Sequence, residues 1–276
     1  RSGPRRTQVD KNRLRRTVDL LGVVRVIAFL PDDLELVKKG PAHRRDLIDS
    51  VAVQLWPAAH LEQAEFDRAL RQRNAFLRQG DHDEGTLAVW DSRLAQSSGR
   101  VLVRRARVLE ILNPFLRSAH GDISQSGEEA ALGYSTTWSD GDLGSSTAGE
   151  YSAQLSTALQ AARRTDYDRR VTTVGPHRDE PSFFLDKVNA RTHGSQGEQR
   201  TMALAVKLAA HRAVAVLIGE PPILLLDDFF SELDARRSEA LAKHLPLDSQ
   251  TIITTARPED VPIDGSMWTV NGGIRR

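Results

Sequence analysis

The sequence predicts an α/β protein: a parallel sheet with flanking helices and an inserted helical lobe. Three observations carry that expectation. The run Ile223-Leu-Leu-Leu226 reads as a buried strand and ends in Asp227-Asp228, two carboxylates at the end of a strand where parallel sheets bind their ligands. The segment Thr201 to Ala210, rich in helix formers and free of Gly and Pro, follows a small polar turn, Gly194-Ser-Gln-Gly197. Two long helical stretches lie upstream, joined by a Gly/Asp-rich turn at 80–85.

The elements follow in chain order. Val23 to Phe29 reads as a strand, and Pro31 ends it. From Ala42 to Arg78 the pattern is helical, with Pro57 as the break. Thr86 to Ala119 is helical again, and Leu102, Leu109, Leu112 and Leu116 form one apolar stripe, expected to be the core of the lobe. Residues 124–149 are rich in Ser, Gly, Thr and Asp. Within them Leu132, Tyr134, Thr136 and Trp138 alternate as in a short strand, and 139–149 reads as a loop. Tyr151 to Arg164 returns to helix, and Val171 to Val174 and Ser182 to Leu185 read as strands. After the acidic strand come a helix, Glu239 to Leu245, and a further parallel strand, Thr251 to Thr255, whose carboxyl end lies beside Asp227-Asp228.

Composition fits a cytosolic globular chain. Its 276 residues, 39% hydrophobic, suffice for two domains with a core. The absence of cysteine excludes disulfides and thiolate metal sites, and no apolar run reads as long enough to span a bilayer. A net charge of +1 says little about nucleic acid, and 5% aromatic residues make base stacking a weak theme. Basic residues do cluster. Those of the first stretch, from Arg1 to Arg16, read as a solvated end, whereas Arg100, Arg104, Arg105 and Arg107 on the later helix fit a phosphate backbone and a solvated face equally well.

The acidic strand end suits a nucleotide. A carboxylate there can hold the hard Mg2+ that accompanies phosphates, and its neighbour can polarise an attacking water. The turn at Ser195 places free N–H groups and the positive end of a helix dipole where phosphate is welcome. Each feature alone has an ordinary alternative: acidic residues that solvate a turn, or a serine that merely caps a helix. Their order is much less ordinary: capped turn, one helix, apolar strand, Asp-Asp, then Ser231-Glu-Leu-Asp234. His177 reads as a hydrogen-bonding turn residue. Arg178 fits a phosphate contact and an ion pair with Asp179 about equally, and Thr254 and Thr255 fit water orientation or plain strand propensity.

That order resembles the signature motif, Walker B strand and D-loop of the ABC and SMC ATPases. Within the superfamily, Thr173-Val-Gly-Pro-His-Arg-Asp179, Gly194-Ser-Gln-Gly-Glu-Gln-Arg200, Pro222-Ile-Leu-Leu-Leu-Asp-Asp228 and Ser231-Glu-Leu-Asp234 are similar to the RecF family of bacterial recombination mediators. Phe29-Leu-Pro-Asp-Asp-Leu34, Gly40-Pro41, Arg44-Arg45 and Gln72-Arg-Asn74 add to the match, which runs from about Leu20 to Thr255. A transporter subunit would more often carry Ser-Gly-Gly-Gln at the signature.

The resemblance implies an ABC/SMC-type ATPase head, a P-loop-NTPase-like sheet with flanking helices. Residues 1–41 would be the remainder of an amino-terminal ATPase lobe, 42–122 the inserted helical lobe, and 123–276 the part carrying signature, Walker B and D-loop. It implies ATP and Mg2+ as ligands and an ATP-dependent homodimer. Ser195, Gln196 and Gly197 of one copy would face the γ-phosphate held by the other, Asp227 would serve Mg2+, Asp228 would activate water, and Asp234 would communicate across the dimer. Thr254 and Thr255 stand where relatives place a γ-phosphate sensor. Implied partners are gapped duplex DNA at single-strand/double-strand junctions and the mediators RecO and RecR, with the RecA recombinase as the protein loaded by a slow, DNA-stimulated cytoplasmic ATPase.

No Gly-x-x-x-x-Gly-Lys-Ser/Thr loop and no Gly-Lys pair occurs in the sequence. Because RecF-like proteins carry that loop near the amino terminus, the expectation is an amino-terminally truncated chain, inactive alone, with a natural variant that never binds nucleotide as the alternative. Two further readings stand beside it: a non-hydrolysing DNA- or partner-binding fragment, and a transporter nucleotide-binding subunit.

Overall fold

The computed structural model describes residues 7–80, 83–124, 126–139, 143–144, 146–246, 248–270 and 274–275. A short hairpin, β1 (Gln8–Val9) and β2 (Asn12–Arg13), precedes β3 (Val26–Phe29). Helices α1 (Pro41–Leu55), α2 (Ala59–Gln79) and α3 (Glu84–Ser124) follow, then β4 (Ala130–Ser135) and α4 (Ala148–Arg169). The chain continues through β5 (Glu180–Leu185), β6 (Val188–Asn189), the single turn α5 (Ala190–His193), α6 (Gln196–Ile218), β7 (Ile223–Asp227), α7 (Ala235–His244) and β8 (Thr251–Thr254), and on to β9 (Thr269–Val270) and β10 (Ile274–Arg275).

The strand that ends in Asp227 lies at the centre of a parallel sheet ordered β3-β7-β8. Alternation sorts its side chains. Ile27, Phe29, Leu224 and Leu226 are buried and share one core with Leu204, Leu208 and other residues of α6. The opposite face carries Val26, Ala28, Ile223 and Leu225, all half-buried, and Ile252, which is exposed. Parallel sheets are ordinarily covered on both faces, and among the described residues this one is covered fully on one. Contrary to the sequence reading, α6 is long and apolar enough by composition to cross a membrane, but 67% of its apolar window is buried inside the protein, as befits a core helix.

The second sheet, β4-β5-β6, is antiparallel. Its outer edge at β4 is not left open. The Asn113 side chain donates to Leu132 O at 3.0 Å and accepts from Leu132 N at 2.8 Å, standing in for a neighbouring strand.

Pro57 separates α1 from α2, as its missing N–H predicts. The 41-residue α3 instead runs through Pro114 without interruption. Its halves serve different cores. Leu94, Ala95 and Val101 pack with Phe66 of α2 and with Leu155 and Leu159 of α4, whereas Leu109, Leu112 and Leu116 join the main core with α6. Leu109, Leu112 and Leu116 of the apolar stripe therefore lie in the main core rather than in a separate lobe core, and α4 packs against the first half of α3. Gly99 permits the approach of α4 to α3: a Cβ there would lie 2.2 Å from Ala148 O.

The predicted strand Val171 to Val174 is absent, and side chains hold that segment instead. Thr172 N donates to Asn74 Oδ1 at 2.7 Å, and Thr173 N donates to Asp166 Oδ1 at 2.8 Å. Arg73, fully buried, donates to Asp91 at 2.7 Å, to Asp166 at 2.6 Å and to the Thr172 hydroxyl at 2.9 Å. This ionic knot joins α2, α3 and α4 to the loop that leads into β5.

Candidate functional site

The carboxyl end of β7 is a constructed turn. Asp227 lies opposite Thr254 in the parallel register, and the Thr254 hydroxyl donates to Asp227 Oδ1. Asp228 then adopts a left-handed backbone, φ +46°, a conformation that Asp tolerates better than most residues. Three bonds hold it: Asp228 N donates to Thr254 O at 2.9 Å and to Thr254 Oγ1 at 3.1 Å, and the Ser231 hydroxyl donates to Asp228 O at 2.7 Å. Both carboxylates are exposed. Thr255 faces elsewhere, its hydroxyl bonded to Arg257 O and N at 3.1 and 3.0 Å. Of the two sensor candidates, Thr254 alone is joined to the acidic strand end.

Ser195 caps α6 reciprocally with Glu198: Glu198 N donates to Ser195 Oγ at 3.3 Å and Ser195 N donates to Glu198 Oε2 at 2.7 Å. Gln199 secures the preceding turn by donating to the carbonyls of Ala190, Arg191 and Gly194 at 3.0 to 3.2 Å. Ser195 and Gln196 are exposed on this turn and Gly197 is half-buried. Asp234 caps α7, accepting from Arg237 N at 2.9 Å; that bond and the Arg237 guanidinium hold its carboxyl below the usual carboxylate range. Ser195, Gly197 and Asp234 line one cleft together with His120 and Ser124 at the end of α3. Neither Asp227 nor Asp228 lines it. The predicted site residues therefore fall into two groups, signature turn with Asp234 and strand end with Thr254. Sequence reasoning missed Gln199 and Arg237; the Asp234-x-x-Arg237 spacing was the available signal for the second.

Two of the three candidate arginines are committed to the fold. Arg105 is 2% exposed, grips Asp49 with two bonds of 2.8 and 2.7 Å, and donates to Tyr134 OH and Pro176 O, so it offers nothing to a DNA backbone. Arg104 pairs with Glu62 at 2.8 Å and lies over the Trp56 ring at 5.3 Å. Arg178 remains exposed at the end of the 173–178 loop. It does not pair with Asp179, which is buried and accepts from Tyr134 OH and Trp138 Nε1, both at 2.8 Å.

Burial pushes Asp179 up to about 6 and the neighbouring His177 imidazole down to about 4. These shifts oppose each other in acid. As pH falls from 6.5 towards 4, the unfolded chain takes up a proton on His177 that the folded chain refuses, and stability drops by on the order of 3 kcal/mol. Asp179 acts the other way, because its folded carboxyl binds a proton before the unfolded one does. His177→Gln should flatten the acid decline and Asp179→Asn should steepen it. Urea midpoints of each variant at pH 7 and pH 5 measure this, and equal slopes would remove both residues from the acid response.

No family model matches the chain. Among curated proteins, the DNA replication and repair protein RecF of Microcystis aeruginosa is 39% identical over 268 residues, covering 92% of this chain and 70% of that protein. RecF of Acidothermus cellulolyticus is 37% identical over 264 residues, covering 94% of this chain and 71% of its own. A solved structure described as the recombination mediator protein RecF-ATPrS in the RecFOR pathway superposes with a TM-score of 0.84 at 28% identity, covering 97% of this chain and 71% of that one. A second, RecF-ATP, gives 0.79 at 27% identity, covering 93% and 69%. The fold is thus the ABC/SMC-type ATPase head with its helical layer, and the chain belongs to the RecF family of DNA replication and repair proteins.

Proposed function

We propose that this chain is part of an ATP-driven DNA clamp in which two copies close over shared nucleotides. The observation that carries the reading is the separation of the site into two groups: a phosphate-ready turn with Asp234 on one cleft, and an acidic strand end outside it. Neither group is a whole nucleotide site, and two copies facing each other would bring the turn of one to the strand end of the other.

Among the described residues no cluster of three or more His, Asp or Glu side chains stands ready for a metal. Mg2+ takes one or two carboxylates and completes its shell with phosphate oxygens and water, and the exposed Asp227 offers one such carboxylate. Asp227 would hold it, oriented by the Thr254 hydroxyl. ATP supplies the γ-phosphoryl group that passes to water. Asp228, fixed in its left-handed turn, would accept the water's proton, and the N–H groups after Ser195 would bind the γ-phosphate of the opposite copy. These residues carry no Gly-x-x-x-x-Gly-Lys-Ser/Thr loop and alone would not turn over ATP. In the whole protein we place slow, DNA-stimulated hydrolysis, gapped duplex and strand junctions as the DNA held, RecO and RecR as partners, and RecA loading in the cytoplasm as the outcome.

Ser195→Arg tests the reading in a chain of the relatives' full length. The long cation would fill the space for the opposite γ-phosphate while leaving its own fold and nucleotide loading intact. ATP-dependent dimerisation, read by light scattering, should weaken at least tenfold, by about 1.4 kcal/mol or more. A variant that dimerises like its parent would return residues 194–200 to an ordinary capped helix start.

A further inference from the structure

Two of the helices that border the cleft, α6 and α7, begin at capped ends, and one side chain ties them together. Arg237 lies in the first turn of α7 and folds back on itself: its guanidinium pairs with the Asp234 carboxylate that caps its own helix. Its Nε donates to Thr201 Oγ1 at 3.1 Å, in the second turn of α6. Its Nη2 lies over Gly197, at 2.6 Å from where a Cβ on that residue would sit. The two neighbouring arginines point to other partners, Arg200 to Glu232 O at 3.4 Å and Arg236 to Ser124 O at 3.2 Å. A single planar fork thus touches Asp234, Thr201 and Gly197, a geometry that an ammonium cannot reproduce.

We propose that Arg237 is a positioning residue that couples Asp234 to the signature turn, so that displacement of Asp234 by an approaching second copy is passed to Gly197 and Ser195. The inference rests on the two-copy reading of the site. Gly197 is part of the device because only a residue without Cβ leaves room for the guanidinium without pushing it away.

The test uses a chain of the relatives' full length and three readouts: ATP affinity of the monomer by equilibrium dialysis, the dissociation constant of the ATP-bound dimer by sedimentation, and the melting temperature. Arg237→Ala should leave monomer ATP affinity within twofold and weaken the dimer at least tenfold. Arg237→Lys should fail to rescue it. Thr201→Val removes the Nε contact at almost constant volume and guards against a variant that simply unfolds; it should weaken the dimer about threefold and add nothing to Arg237→Ala in the double variant. A merely structural arginine would lower the melting temperature and leave the dimer constant unchanged, and that result overturns the proposal. A parent that does not dimerise with ATP would instead sink the two-copy reading, whereas a dimerising parent beside an equally dimerising Arg237→Ala refutes only the role of Arg237.

Discussion

Replacing Arg73 with methionine is expected to remove a large share of the chain's stability. The guanidinium is fully buried between Asp91 and Asp166, themselves 3% and 0% exposed. Methionine fills most of the volume but leaves Asp166 with no cation, and leaves Asp91 only Arg163 at 2.9 Å. Breaking a buried ion pair by removing one partner costs about 3–5 kcal/mol, a large share of the roughly 5–15 kcal/mol that holds a domain together. By contrast, Arg100→Ala breaks an exposed pair with Glu65 and should cost less than about 1 kcal/mol. Urea unfolding followed by circular dichroism separates the two. A loss below about 1 kcal/mol for Arg73→Met would mean that the knot contributes no more than a surface pair.

The other large effect is on chemistry. Asp228→Asn, in a chain of the relatives' full length, should retain ATP binding and slow hydrolysis by about 10²–10⁴-fold, the usual reach of a positioned general base. Asn is the right replacement because it also tolerates the left-handed backbone recorded at φ +46°, so the turn and its bonds to Thr254 and Ser231 survive. Phosphate release at saturating ATP measures the rate, and ATP-bound dimers of the variant should persist longer than those of the parent. Unchanged turnover would remove Asp228 from proton transfer.

The strand Ile223–Asp227 and the cap at Ser195 were legible because their causes are local: an apolar run that ends in carboxylates, and a small polar turn before a run of helix formers. What the sequence hid was decided at long range. Thr172 and its neighbours favour a strand by type, yet their bonds go to Asn74, 98 residues away, and to Arg73. Arg105 looked like surface charge because its partner, Asp49, lies 56 residues upstream on α1. The helix from Thr86 to Ala119 was legible through Pro114, but not the passage of its leucines from one core to another, because that depends on α6 and α4 packing along it. Arg237 escaped notice for a related reason: its contacts with Thr201 and Gly197 exist only once α6 and α7 start side by side.

The central claim is that the signature turn of one copy works with the acidic strand end of another. Mixing two variants tests it most directly: Ser195→Arg, which spoils the turn, and Asp228→Asn, which spoils the strand end, both in chains of the relatives' full length. Each alone should hydrolyse ATP hardly at all. A mixed dimer holds one site built from the intact strand end of the first and the intact turn of the second, so the mixture should regain phosphate release well above either variant, saturating as the two are brought to equal amounts. If the mixture gives only the sum of its parts while mixed dimers form, the two groups do not act across copies and the account fails.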